Sequence, residues 1–183
     1  MDGSHQKAAG SSRPASQVIK HLMVEQKAFR YMSLAAAAHA FAGAGITLWL
    51  PAFFIRTHGM KTTEIASYLG LIGVTATALG VVAGGVLADL MVKRWGQRWY
   101  LWIPAIGSIV SVPFAVATFG LGEPGIALVV YLLPAALGSL YLGPAFAMAH
   151  NLVSQDMRAM ASAIILFLAL LIGQGGGPLF VGW

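Results

Sequence analysis

The sequence predicts an all-α membrane protein with about five transmembrane helices. The composition is 58% hydrophobic and only 9% charged, with a mean hydropathy of +0.77, whereas soluble domains carry about a quarter charged residues. Long apolar runs recur along the chain, none has a charge in its middle, and a helix of roughly 20 apolar residues crosses a bilayer core. Because backbone polar groups in lipid must be satisfied internally, each run is expected to be a helix. The runs are 33–55, 66–88, 99–119, 126–149 and 159–180.

The basic residues predict the orientation of these helices. Arg56 and Lys61 lie between the first and second runs, on one side of the membrane. The other nine of the eleven Lys and Arg residues fall on the opposite side. By the positive-inside rule, the N-terminus is expected in the cytoplasm and Trp183 on the far side of a plasma (inner) membrane. The lipid bilayer, and no nucleic acid, is the partner that this distribution predicts. The nine residues are Lys7, Arg13, Lys20, Lys27, Arg30, Lys93, Arg94, Arg98 and Arg158.

Two domains are expected, a polar cytoplasmic segment at 1–30 and a transmembrane bundle at 31–183. Residues 1–16 are rich in Gly, Ser and Ala, a composition typical of disorder. Residues 17–30 fit either a short helix at the membrane interface or a polar extension of the first span. Their apolar residues recur at helical spacing and are Val18, Ile19, Leu22, Met23 and Phe29.

Small residues mark the second span. Gly73, Thr77, Gly80, Gly84 and Ala88 recur three or four positions apart. Such a stripe on one helix face allows the backbone of a neighbouring helix to approach closely. We therefore expect this stripe to be a helix-packing surface.

Proline and glycine interrupt the later spans. The fourth run contains Pro134, Gly138, Gly143 and Pro144, so a kinked or broken helix is expected there. The fifth run reads GQGGGP at 173–178, which predicts a loosened or bent outer half.

An acidic and basic motif lies where the second span ends. The sequence GVLAD at 85–89 is followed by Lys93-Arg94 and Gly96-Gln97-Arg98. An Asp near a helix C-terminus opposes the helix dipole. We therefore expect Asp89 to approach Arg94, Arg98 or the N-terminus of another helix, with an ordinary solvated charge as the alternative.

These residues resemble the cytoplasmic signature of the major facilitator superfamily, G-x-L-A-D-R-x-G-R-R, which follows the second helix and recurs in weaker form after the eighth. Gly85, Leu87, Ala88 and Asp89 match the pattern, whereas Leu90 stands in place of its first arginine. The resemblance implies that the five spans correspond to helices 7–11 of a twelve-helix fold, and the polar segment to the central cytoplasmic loop. Three stretches also resemble spinster-type and related organic-solute transporters: 49–54, 99–102 and 142–144.

The resemblance implies part of a secondary active transporter that moves a small organic solute by alternating access, with protons as the implied driver. Gly85, Asp89, Arg94 and Arg98 would form a cytoplasmic gating motif. Since family members place the substrate between two halves, the further partner would be a missing N-terminal half or a separate subunit. The alternative is a non-transporting truncated or split membrane subunit that assembles with a partner half.

Polar residues inside the spans are candidates for a substrate cavity. His39 lies in the cytoplasmic half of the first span, where an ionisable group usually faces a cavity. It would contact solute or carry a proton, or it would be a neutral histidine bonded to a neighbouring helix. Gln174 and Tyr131 are the other candidates. Tyr141 lies ten positions after Tyr131 on a different face, so only one of these tyrosines is expected at the site.

The sequence does not predict an enzyme. It contains no H-E-x-x-H motif, no P-loop and no acidic pair within the membrane. Cysteine is absent and the five histidines are scattered, so neither a metal site nor a cofactor is expected.

Overall fold

The computed structural model describes residues 14–183, so the disorder predicted for residues 1–16 falls mostly outside the described part. Short π-helical segments at His21–Glu25 and Ala169–Gln174 and a 3₁₀ turn at Gln155–Met157 complete the helical content. The α-helices are α1 (Ala15–Lys20), α2 (Lys27–His58), α3 (Thr62–Trp95), α4 (Trp99–Gly120), α5 (Pro124–Ser139), α6 (Leu142–Asn151), α7 (Arg158–Leu168) and α8 (Gly175–Gly182).

Five helical segments are long and apolar enough to cross a membrane, which confirms the predicted spans. They comprise α2, α3, α4, the pair α5 and α6, and the stretch from Gln155 through α8. Three residues join each span to the next, at 59–61, 96–98, 121–123 and 152–154. Gly59 and Gly96 have φ values of 66° and 90°. Glycine adopts such angles without steric cost, so it allows the chain to reverse sharply there.

The buried apolar residues of the bundle lie mainly in two clusters, one at each end. At the proximal end, where α1 and the 96–98 and 152–154 turns lie, ten buried residues form a cluster that includes Phe29 and Ile165. At the distal end, where the 59–61 and 121–123 turns lie, a second cluster is built around Phe54 and Ile65. The candidate site borders the proximal cluster, since Met32 and Ala36 belong to both.

The segment 17–30 contains a helix distinct from the first span. α1 and the π-helical turn after it end at Gln26, whose φ and ψ of −88° and 83° separate them from α2. Val18 and Leu22 are buried against Met157 and Ala161 of the fifth span. The apolar face of this helix therefore packs on the bundle.

One face of α3 is buried along most of its length, but it is only partly the predicted stripe. Gly73 and Thr77 are exposed in this chain, so only Gly80, Gly84 and Ala88 of the stripe pack within the bundle. Spacings of three and four are both compatible with one helix face, and packing selected the strict four-residue row. The buried row consists of Ile72, Ala76, Gly80, Gly84 and Ala88.

The fourth span is broken, as predicted. α5 ends at Ser139 and α6 begins at Leu142, with Leu140 and Tyr141 between them. Pro144 has no backbone N–H, so the carbonyl of Leu140 lacks its usual helical donor. The break therefore follows directly from the local sequence.

The fifth span is loosened just before most of its clustered glycines. The π-helical segment Ala169–Gln174 separates α7 from α8, in which Gly175, Gly176 and Gly177 are α-helical. A Cβ added at Gly173 would lie 2.6 Å from the Cβ of Ala40 in α2, and one added at Gly177 would meet the carbonyl of Phe41. These glycines permit the backbones of the first and fifth spans to touch.

Candidate functional site

A cavity of about 170 Å³ lies between α2, α4 and the break in the fourth span. Alanine, proline, leucine and methionine side chains form most of its wall. Its polar residues are His39, Tyr100, Ser108 and Tyr141. A mostly apolar wall with a few convergent polar groups is the usual character of a small-molecule site.

His39 lies at the centre of the polar group and is half-buried. Its Nε2 lies 2.7 Å from the carbonyl oxygen of Gly138, and its Nδ1 lies 3.1 Å from Oγ of Ser108. Ser108 Oγ in turn donates to the carbonyl of Pro104, 2.8 Å away. His39 thus connects the first span to both the third and the fourth.

The break in the fourth span brings Tyr141 into the site. Its ring centroid lies 4.5 Å from that of His39, with the rings tilted by 49°. Tyr131, the predicted candidate, instead packs beside the distal cluster and interacts with the side chain of Thr47. Residues 131 and 141 do face different surroundings, and it is Tyr141 that lies beside His39.

Gln174 lies apart from this cavity. It is the last residue of the π-helical segment and is exposed on the surface of the bundle. It is not among the residues that line the cavity. The expectation that Gln174 faces the interior of the bundle therefore has no counterpart in this geometry, and a cavity role for Gln174 stays a prediction.

The residues of the proposed gating motif lie at the proximal end. Gly85 is half-buried, and a Cβ added at Gly143 would lie 3.2 Å from its nitrogen. Asp89, Arg94 and Arg98 are exposed. Within residues 14–183 no ion pair joins Asp89 to either arginine, and the Arg94 guanidinium lies 5.3 Å from the ring centroid of Trp95. The expected contact between Asp89 and these arginines is thus absent.

A larger groove of about 340 Å³ lies at the distal end, between α3 and α5. Its ionisable residues, Glu64 and Tyr68, are both exposed. No side-chain hydrogen bond converges there among the described residues, so the smaller cavity around His39 is the better candidate site.

Two comparisons identify the family. An "MFS-type efflux pump" from Mycolicibacterium smegmatis is 36% identical over 141 residues, which are 77% of this chain and 32% of the relative. A solved structure of a bacterial homologue of the human lysosomal transporter Spinster, inward-facing and unoccupied, matches 95% of this chain with a TM-score of 0.81 and 26% identity. The chain belongs to the major facilitator superfamily.

Further matches agree with this assignment. The same kind of Spinster homologue, inward-facing and occupied, matches 83% of this chain with a TM-score of 0.71 and 29% identity. No family model matches the chain. The chain spans about a third of the length of these relatives, between 32% and 36%. That coverage fits the predicted correspondence with one half of a major facilitator fold.

The comparisons confirm the predicted family, its spinster-like character and the fold class. The relatives are transporters, and the chain is a multi-pass membrane protein. Tyr100, Ser108 and Gly138 were not predicted as site residues, and Tyr141 was weighed but Tyr131 was preferred. Ser108 carried a visible signal, since it is a polar residue inside an apolar run, whereas Gly138 and Tyr141 entered the site only through the break in their helix.

Proposed function

We propose that this chain forms part of a secondary active transporter that moves a small organic solute across a membrane by alternating access. The observation that carries this proposal is the match of 95% of the chain to a Spinster homologue with a TM-score of 0.81. The named efflux pump supports it independently. Both matches favour a transporter over the alternative of a non-transporting subunit.

The solute would occupy the cavity around His39 and the space next to it. The apolar wall of this cavity suits a solute with an apolar body. Tyr100 and Tyr141 offer phenol groups that donate or accept hydrogen bonds. Tyr131 and Gln174 stay candidates for contacts along other parts of the route. These assignments rest on geometry and on the chemistry of the side chains.

A partner half would complete the substrate pathway. Alternating access needs two bundles that rock about a site between them, and five spans supply one bundle. Gly85, Asp89, Arg94 and Arg98 would act at the proximal end as a gating motif. The exposure of Asp89 and the absence of an ion pair with these arginines within residues 14–183 suit a carboxylate that meets a group of the partner half.

The chain would lie in the plasma membrane with residues 1–30 in the cytoplasm and the bundle at 31–183 within the bilayer. Reporter fusions test this orientation. We expect fusions at Gly59, Gly96, Glu123 and Asp156 to report outside, inside, outside and inside in turn. A cytoplasmic signal at Gly59 would reverse the proposed topology.

Reconstitution tests the function itself. Proteoliposomes would contain the purified chain alone, or the chain co-expressed with the first six spans of the Mycolicibacterium smegmatis efflux pump. We expect no saturable uptake from the chain alone and saturable uptake of at least one organic solute from the pair. A solute panel with a fluorescent amphiphile among its members provides the measurement.

The first six spans of the pump alone are the matched control. If they transport as well as the pair does, this chain contributes nothing and the proposal fails. Saturable, substrate-specific uptake by the monomeric chain would also contradict the proposal, because it would remove the need for a second bundle.

A further inference from the structure

The hydrogen bonds around His39 admit two arrangements that differ by one proton. A carbonyl oxygen only accepts, so Nε2, 2.7 Å from the Gly138 oxygen, must carry a proton in both. The hydroxyl of Ser108 has a single proton and two neighbours, the Pro104 oxygen at 2.8 Å and His39 Nδ1 at 3.1 Å. The acceptor of the Ser108 hydroxyl proton decides whether the His39 ring is neutral or positively charged.

In the first arrangement Ser108 donates to Nδ1 and the ring is neutral. The contact from Ser108 to the Pro104 carbonyl is then given up. In the second arrangement Ser108 donates to Pro104, and Nδ1 must donate to Oγ of Ser108. All three close contacts are hydrogen bonds only in the second arrangement, which requires an imidazolium with protons on both nitrogens.

Both ring nitrogens therefore face protein atoms in either state. Hydrogen bonding to solute would require His39 to release Gly138 or Ser108. What can still change at His39 is whether Nδ1 carries a proton. The geometry therefore favours a proton, rather than an organic solute, as the ligand of this side chain. Hydrogen bonds to solute in the cavity fall instead to Tyr100 and Tyr141, whose side chains line it.

Within residues 14–183, no carboxylate lies beside the ring to compensate its charge. The other ionisable residues that line the cavity are Tyr100 of α4 and Tyr141 at the break. The π-helical segment and α8, which pack on α2, contain no ionisable side chain. A charged ring would be held by its two acceptors and by the ring face of Tyr141, with centroids 4.5 Å apart. The acidic residues of the described part lie near the helix ends: Glu25, Glu64, Asp89, Glu123 and Asp156.

We propose that His39 is a reversible proton-binding site that ties the first span to both sides of the break in the fourth. A proton from water adds to Nδ1 as the Ser108 hydroxyl turns from Nδ1 to the Pro104 carbonyl. The reverse change releases the proton to water, and no other covalent bond forms or breaks. Binding strengthens the hydrogen bond to Gly138 before the break, because a charged donor makes a stronger bond than a neutral one. It also strengthens the attraction to the Tyr141 ring after the break.

Coupling of this proton to solute movement rests on the proposed function, but proton binding does not. The break adjoins the cavity, and Tyr141 belongs to both. A change in the strength of the contacts between α2 and the fourth span would therefore change the shape of the cavity. This gives the transporter a route from a proton gradient to its substrate site.

The proton site is tested on the full chain in lipid nanodiscs by ¹⁵N NMR of labelled histidines. The His39→Gln variant identifies the His39 signals by their loss. Spectra are recorded from about pH 8 to about pH 5, and we expect Nε2 to carry a proton throughout and Nδ1 to gain one as the pH falls.

Ser108→Ala should displace this transition along the pH axis, because Nδ1 loses its partner. Ser111→Ala is the matched control, since Ser111 lies one turn away on the same helix and donates to the Ser108 carbonyl at 2.7 Å without touching the ring. A ring that stays neutral over this range, or a transition that Ser108→Ala leaves unmoved, overturns the proposal.

Uptake by the co-reconstituted pair separates the two proposals. His39→Gln should abolish the stimulation of uptake by an imposed pH gradient, whereas Ser111→Ala should preserve it. Absence of uptake by the wild-type pair together with the expected NMR transition would reject the proposed function and keep the proton site. Stimulation by the gradient that survives His39→Gln would reject the proton site and keep the transporter.

Discussion

The break in the fourth span has two very different neighbours. On the α3 side, a Cβ added at Gly84 would meet the carbonyl of Leu140, and one added at Gly80 would meet the carbonyl of Ala136. On the α2 side, the polar contact is the hydrogen bond from His39 to the carbonyl of Gly138. α4 also packs closely on the fourth span, since a Cβ added at Gly107 would lie 2.8 Å from Cδ1 of Leu140. The contact with α3 is fixed by the shape of two backbones, whereas the contact with α2 includes polar atoms that exchange partners.

This difference indicates how the broken helix can move. Backbone contact between α3 and the fourth span leaves no group that could rearrange, because interiors packed this closely have few alternative arrangements. The hydrogen bonds to His39 can be made and broken at modest cost. We expect the fourth span to stay attached to α3 and to change its contact with α2.

The largest effect is expected from filling the backbone contact. Gly84→Leu places a side chain where the carbonyl of Leu140 lies, and overpacking of this kind costs about 1–3 kcal/mol or more. We expect a marked fall in thermal stability in detergent, measured by intrinsic fluorescence, together with aggregation in size-exclusion chromatography.

Gly73→Leu is the control, because a Cβ there meets nothing within 4 Å and the residue lies on the same helix. It should leave the melting temperature nearly unchanged. Equal damage from both substitutions would show that contact with the fourth span does not account for the effect.

A smaller effect is expected on the hydrogen-bonded side. His39→Ala removes the bonds to Gly138 and Ser108, and hydrogen bonds between helices in membranes contribute about 0.6 kcal/mol on average and at most about 1.7. We expect a loss of stability near that range by chemical unfolding in mixed micelles. The loss should be well below that for Gly84→Leu.

A double-mutant cycle with Ser108→Ala sharpens this prediction. Because the two side chains touch, their effects should not add, and a coupling of about 0.5 kcal/mol or more is expected. Additive losses would mean that the Ser108 contact contributes nothing to the attachment of α2.

The smallest effect on stability is expected at Asp89, which lies exposed at the proximal end. Asp89→Asn should change stability by less than about 0.5 kcal/mol, as is usual for surface positions, yet slow uptake by the co-reconstituted pair several-fold. Glu64→Gln, an exposed carboxylate at the distal end, serves as the control and should leave uptake unchanged. Wild-type uptake by Asp89→Asn would reject the gating role.

Prediction from sequence succeeded where the cause was local. Pro144 marks the break directly, since a missing N–H group acts within one helical turn. The glycine-rich stretch 173–178 overlaps the end of the π-helical segment Ala169–Gln174 and continues into α8. The spans themselves follow from apolar length. The packing face of α3 was only half predicted, because Gly73 satisfies the spacing rule but lies off the row that packing selected.

The site depended on contacts between distant parts of the chain. Ser108 lies 69 residues from His39 and Gly138 lies 99 residues away. Their meeting depends on how three spans are rotated, which apolar periodicity does not specify when helices are hydrophobic all round. The choice of Tyr131 over Tyr141 was undetermined for the same reason, since the break rotates the second tyrosine relative to the first.

The three-residue connections between spans have a consequence for how the chain enters a membrane. Four residue steps reach at most roughly 14 Å, less than half of the roughly 30 Å hydrocarbon thickness. A single span therefore cannot invert while its neighbours stay in place, because the turn at 59–61, 96–98, 121–123 or 152–154 would have to stretch across the bilayer. Insertion errors in this chain would be collective, with all five spans in one sense or all five in the other.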